Sequence, residues 1–155
     1  MRPFYASMSP HPLFTTGYAG HELDSFVAKL RQHEVNTVID IRQNPASRKR
    51  GFSLSRLSAF LAANGIGYVH VRELGVPREL RQRLAAEECT LDEYFAEFRK
   101  YAVEQDGALS AVAELAARQR CCLLCVETRP EDCHRSIVAE VLAERTGGAL
   151  NVIHI

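Results

Sequence analysis

Apolar residues along the chain change their spacing several times, and each change marks an element. "PLFTTGYAG" reads as a short buried strand ending at Gly17. In "HELDSFVAKLRQHE", Leu23, Phe26, Val27 and Leu30 recur at i, i+3, i+4 and i+7, which is one helix face. "VNTVIDIR" is a β-branched run of strand length, followed by a polar loop, "QNPASRKRGFS". Ser53 can cap the next helix, with Leu54, Leu57, Phe60 and Leu61 as its stripe and Gly65 as its stop. "IGYVHV" is a third strand. The segment 76–119 reads as helical. Thr90 and Glu93 have the spacing of a capping box, and Cys89 can staple onto Tyr94. Phe95, Phe98 and Ala102 continue that face. Asp106-Gly107 reads as a turn, and Leu109, Val112 and Leu115 mark another helix. "CCLLCVE" is a fourth strand. "HRSIVAEVLAERTGG" is a helix that buries Ile137, Val138, Val141 and Leu142 and stops at Gly147, and "LNVIHI" is a fifth strand. Residues 1–12 hold three prolines and no periodicity, and read as an irregular lead-in.

Strands that read as apolar runs, separated by amphipathic helices, predict a mostly parallel sheet covered on both faces. The expected fold is one α/β domain over residues 1–155, a three-layer sandwich around a doubly wound sheet of about five strands. The order 3-2-1-4-5 is expected, with a switch point between strands one and four.

Composition narrows the partners. The chain has 155 residues, 46% of them hydrophobic, enough for a single core. Lys+Arg and Asp+Glu are both 19, so no net charge draws it to DNA or an anionic membrane, and a nucleic-acid contact has to come from a local patch. No apolar run reaches membrane-spanning length, and the first residues lack a signal-peptide core, which gives a cytoplasmic expectation. There the five cysteines, an odd number, are expected to stay reduced rather than form a disulfide framework.

In open α/β sheets ligands bind beyond the carboxyl ends of the strands. That rule gathers unlike polar groups on one rim: Tyr18 and His21 after strand one; Asp40, Arg42, Ser47 and Arg48 after strand two; His70, Arg72 and Glu73 after strand three; and Cys125, Glu127, Cys133, His134 and Arg135 after strand four. The opposite rim holds fewer such groups.

Four blocks on that rim, "TTGYAGH", "VIDIRQNPASR", "YVHVRELG" and "LLCVETRPEDCHRSIVAEVL", resemble the signature motifs of the domain of unknown function 488 family, from about residue 14 to the C-terminus. The resemblance implies an α/β sandwich and supplies no reaction. The positions that match are Gly17, Tyr18, Asp40, Arg42, Pro45, Ser47, Arg48, Glu73, Cys125, Glu127, Cys133, His134 and Arg135.

Each group has a bland reading beside its chemical one. Cys121 and Cys122 are small core residues on a strand, where side chains alternate and neighbours three apart face opposite ways. Asp132 can cap the last helix, which puts Cys133, His134 and Arg135 in a first turn suited to an anion. Cys133 is then a candidate nucleophile, or a packed thiol. Asp40 and Glu127 are candidate general bases, or acceptors that hold Arg42 and Arg135. Tyr18, His21 and His134 are candidate helpers in proton chemistry, or structural hydrogen-bonding residues. Arg42, Ser47, Arg48 and Arg135 are candidate anion binders. Residues 47–52, with Phe52 to stack a base, can grip nucleic acid, or form only a solvated loop. Cys125, Cys133 and His134 can share a metal, but adjacent ligands are awkward for a tetrahedral site, so no metal or other cofactor is expected. Neither G-x-G-x-x-G nor a Walker motif is present.

The sequence therefore supports an enzyme, a hydrolase or transferase acting on a phosphate-containing substrate, a nucleotide or nucleic acid, at this rim. The alternative is a binding module for an anionic ligand, nucleic acid or metal.

Overall fold

The computed structural model describes residues 11–155, so the expected lead-in lies outside the described residues except for its last two positions. The chain runs β1 (Pro12–Gly17), α1 (Leu23–Gln32), β2 (Thr37–Asp40), α2 (Leu54–Ala63), β3 (Gly67–His70), α3 (Arg78–Ala85), α4 (Leu91–Val103), α5 (Asp106–Arg118), β4 (Cys121–Cys125), α6 (His134–Arg145) and β5 (Asn151–His154). Every strand pairing is parallel.

Alternation along the strands builds two cores from one sheet. Leu13, Ile39, Cys121 and Leu123 pack with α4, α5 and α6 through Phe98, Val112, Val138 and Leu142. Phe14, Val38, Cys122 and Leu124 pack on the other face with α1 and α2 through Phe26, Leu30, Leu57 and Leu61. The three-layer sandwich is thus the expected one.

The strand order is β3-β2-β4-β1-β5 rather than 3-2-1-4-5. β4 inserts between β2 and β1, and all five of its residues are buried. Local pattern tells that a strand is buried on both faces but not which neighbours flank it. The exchange sharpens the switch point. The connections from β1 and β2 leave toward α1 and α2 on one face, whereas the connection from β4 leaves toward α6 on the other. The connections from β4 and from its two neighbours therefore diverge to opposite faces at the β4 end.

Two local expectations are corrected. Asp106 and Gly107 are the first residues of α5 and not a turn. An aspartate there faces the positive end of the helix dipole, which favours the helix. The cap of α6 is Cys133, not Asp132, because Pro130–Asp132 forms a separate 3₁₀ turn. The Thr90 capping box is present: the Glu93 N–H donates to Thr90 Oγ1 at 3.1 Å.

Cys121 and Cys122 are fully buried, as expected of small core residues. Burial pushes the Cys121 thiol up to about 12 from an ordinary value near 9, and raises Cys122 as well. The fold thus favours the protonated thiol. Its contribution is complete below about pH 9 and is lost as pH rises toward 12. Chemical denaturation at pH 8 and pH 10 should show wild type losing more stability than Cys121→Ala, with a difference of up to about 1.4 kcal/mol per pH unit. Equal losses would contradict the burial argument.

Candidate functional site

The carboxyl ends of four strands, β1 to β4, finish within one rung of each other. Gly17 pairs with Cys125, and Asp40 pairs with Leu124 on one side and His70 on the other. The ladder continues past β1 and β4, with Ala19 N–H donating to the Val126 carbonyl at 2.9 Å. A Cβ on Gly17 would lie 1.7 Å from the Glu127 carbonyl oxygen, so only glycine admits the β4 turn this close to β1.

Beneath that turn lies Arg135, fully buried. Its Nε donates to Thr15 Oγ1 at 3.1 Å, Nη2 to the Thr128 carbonyl at 3.0 Å, and Nη1 to the Glu127 carbonyl. The sequence places it there because α6 starts immediately after the turn and its first buried side chain reaches back under β4. Arg135 therefore supports the rim from below and spends its donors on a hydroxyl and two carbonyls, instead of presenting them to an anion.

Asp40 and Arg42 form a second buried device. Arg42 Nε and Nη2 donate to the two carboxylate oxygens at 2.9 and 2.7 Å, and the Arg42 N–H adds a third bond at 3.1 Å. Tyr68 Oη also donates to Asp40. Arg42 Nη1 donates to the Phe52 carbonyl at 2.7 Å. Burial works against the guanidinium charge, but the bonds and charge of Asp40 outweigh it and raise the Arg42 pKa. With both oxygens occupied, Asp40 is placed as the anchor of Arg42.

Tyr18 stacks on Phe52 with ring centroids 4.5 Å apart, and its Oη donates to Ser47 Oγ at 2.8 Å. Phe52 is fully buried in this stack, so it has no face to offer a base. Lys49 folds back to donate to the Ala19 carbonyl at 3.0 Å, while Arg48 and Arg50 stay exposed.

His134 Nε2 donates to the Ile41 carbonyl at 2.9 Å. A carbonyl only accepts, so Nε2 carries the hydrogen and Nδ1 is left with a lone pair. Burial pushes this imidazole down to about 4, against the pull of the Ile41 bond, and the ring is neutral at neutral pH. Nδ1 lies 3.9 Å from Cys133 Sγ.

Cys125 and Cys133 are joined by a disulfide. This corrects the expectation of five reduced thiols. The two residues are eight apart in sequence, but the strand–turn–helix path brings both side chains to one point, which spacing alone does not reveal.

A cavity of about 280 Å³ opens above these groups, lined by Tyr18, Arg42, Cys125, Glu127, His134, Tyr94 and Arg81 among others. Burial and the Glu127 charge push the Tyr94 phenol up to about 12, so it stays a hydrogen-bond donor. An outer groove of about 900 Å³ shares Gln43, Asn44 and Arg81 with this cavity and adds His70, Arg72 and Arg78.

The family model described as domain of unknown function DUF488 matches residues 22–142, most of the chain. The chain belongs to the DUF488 family. No curated protein and no solved structure matches it. The matched region begins after "TTGYAGH", so that block stands outside it, and the other three blocks fall within it.

In this DUF488 domain the rim brings together Tyr18, Arg42, Cys125, Glu127 and His134 at one cavity, with Asp40, Ser47, Cys133 and Arg135 bonded to or behind its walls. His21 and Arg48 line neither cavity; His21 pairs with Ser25 at the start of α1, Nδ1 to Oγ 3.1 Å. Glu73 lines a different hollow, beside the start of α5.

Sequence reasoning missed Arg78, Arg81 and Tyr94. The signal was present: Arg78, Arg81, Gln82 and Ala85 recur at i, i+3, i+4 and i+7, a polar face of α3 that now lines the groove.

Two substitutions probe this geometry. Gly17→Ala should lower stability by about 1–3 kcal/mol in urea unfolding, by overpacking against the Glu127 carbonyl. Asp40→Ala should cost about 3–5 kcal/mol, because it strands the Arg42 charge in the interior. Midpoints within 0.5 kcal/mol of wild type, a roughly neutral outcome by the usual scale of surface changes, would contradict both contacts.

Proposed function

We propose that this DUF488 domain is an enzyme that hydrolyses or transfers a group on a phosphate-containing substrate, a nucleotide or a nucleic-acid strand. The observation that carries the reading is that two cavities share a wall. An outer groove with Arg72, Arg78 and Arg81 shares Gln43, Asn44 and Arg81 with an inner cavity lined by Glu127, Tyr94 and Arg42.

The charges divide the work. Arg78 and Arg81 project from one face of α3 and suit the phosphate oxygens, with guanidinium forks that match them. Arg42 is fixed in place by Asp40, so it costs little reorganisation when negative charge develops nearby. Glu127 is exposed at the inner cavity and is the carboxylate available as general base. Tyr94 keeps its proton and supplies a hydrogen bond.

The binding-module alternative shares the groove and differs at Glu127. In that reading the carboxylate has no proton to take and its loss leaves the function intact.

Binding of a fluorescent single-stranded oligonucleotide should weaken as salt rises, with a log–log slope of roughly −2 if three arginines meet phosphates. Arg78→Ala combined with Arg81→Ala should flatten that slope by about 1.4. A salt-independent signal, or a slope unmoved by the double variant, would remove the phosphate reading. Screening nucleotides and oligonucleotides for turnover then separates the alternatives. Glu127→Gln should cut turnover by roughly 10²–10⁴-fold while leaving binding in place.

A further inference from the structure

We propose that, once the disulfide is reduced, Cys125, Cys133 and His134 form a zinc site, with Glu127 beside an open fourth position that faces the inner cavity. The inference does not depend on the phosphate reading, since it rests on donor atoms and not on any substrate.

The two sulfurs and a His134 ring nitrogen all lie within 4.8 Å of one another. Tetrahedral zinc with Zn–S near 2.3 Å and Zn–N near 2.0–2.1 Å needs about 3.6 Å between sulfur and nitrogen, and about 3.8 Å between two sulfurs. Cys133 Sγ and His134 Nδ1 stand 3.9 Å apart, so a shift of a few tenths of an ångström satisfies that edge. Adjacent residues are awkward ligands on a regular element, but here they straddle a boundary. Cys133 is extended, at φ −133° and ψ 142°, and His134 begins α6, so their side chains converge.

The backbone spacing favours a bridging ion. The Cα atoms of Cys125 and Cys133 are 7.4 Å apart, beyond the roughly 4.4–6.8 Å that most disulfides span. Two thiolates on one metal stand farther apart than two bonded sulfurs, which suits the wider frame.

The surroundings resemble those of a ligand set. His134 donates Nε2–H to the Ile41 carbonyl, which fixes the ring and leaves Nδ1 free to bind metal. The Arg135 N–H lies 3.5 Å from Cys133 Sγ, and Arg135 Nη1 lies 3.6 Å from Cys125 Sγ, so both sulfurs have donors that favour thiolate. Glu127 Oε2 is 3.6 Å from Cys125 Sγ, on the cavity side. Two thiolates and one imidazole are a donor set that suits zinc, and three protein ligands leave a position for water or substrate.

The chemistry balances. A dithiol reductant gives two electrons and two protons to the Cys125–Cys133 bond and leaves as its own disulfide. Zinc then replaces the two thiol protons, which pass to solvent.

The test uses the full chain, reduced with a dithiol, loaded with zinc and desalted without oxygen. Elemental analysis should find about one zinc per wild-type chain and a similar content in Cys89→Ser, a thiol outside the proposed ligand set. Oxidised wild type, and Cys125→Ser combined with Cys133→Ser, should retain less than a tenth of that. A reduced wild type without zinc, or a double variant that keeps it, overturns the proposal. Should the double variant fail to fold, cobalt binding to reduced wild type decides. A thiolate-to-cobalt charge-transfer band that disappears on oxidation to the disulfide supports the site, and a cobalt complex without that band overturns it.

Discussion

The site depends on a cation with nowhere to go but inward. Arg135 is fully buried, and its guanidinium is satisfied by the Thr15 hydroxyl and the carbonyls of Glu127 and Thr128. Removing such a charge from water costs several kcal/mol, and charge-assisted bonds to fixed carbonyls offset that cost. The exchange leaves the β4 turn pulled down onto α6, against Gly17 of β1. Cys125, Val126 and Glu127 then line the cavity.

A second buried charge fixes the opposite wall by different means. Arg42 is paired with Asp40, and Tyr68, Tyr18 and the Phe52 carbonyl bond to that pair. Both devices place a charged group in the interior at a strand's carboxyl end. Their difference decides what each offers a ligand. Arg135 spends its donors on the Thr15 hydroxyl and two carbonyls and does not line the cavity, whereas Arg42 does. A motif of similar residues, Asp-x-Arg in one place and Cys-His-Arg in another, thus yields one lining group and one support.

Much of the layout was legible from period alone. The five strands, the helices beside them and the convergence of polar groups on one rim follow from alternation and from where each apolar run ends. Strand order was not legible, because burial of β4 on both faces is equally compatible with several neighbours. Nor was the division between Arg42 and Arg135, which depends on which donors the folded backbone absorbs. Phe52 shows the same limit. An aromatic after a basic cluster suggests stacking on a base, yet it stacks on Tyr18 inside the core. The arginines of α3 were readable in principle as a polar stripe at helical spacing. Spacing does not tell whether such a stripe faces open solvent or, as here, a groove.

The link between β4 and α6 is made twice, and the two versions differ in kind. The Cys125–Cys133 bond closes a short loop, worth about 2.5 kcal/mol in the chain-entropy account of cross-links, and it acts mainly on the unfolded chain. Arg135 joins α6 to the turn after β4 in the folded state through two hydrogen bonds, and to β1 through a third, none of which depends on oxidation. Reduction therefore removes a modest, largely unfolded-state contribution and leaves the rim held in position. It follows that two sulfurs at the cavity wall can change their chemical state without dismantling the wall. A structural disulfide that alone secured its turn would not have that freedom. Here the buried guanidinium supplies it.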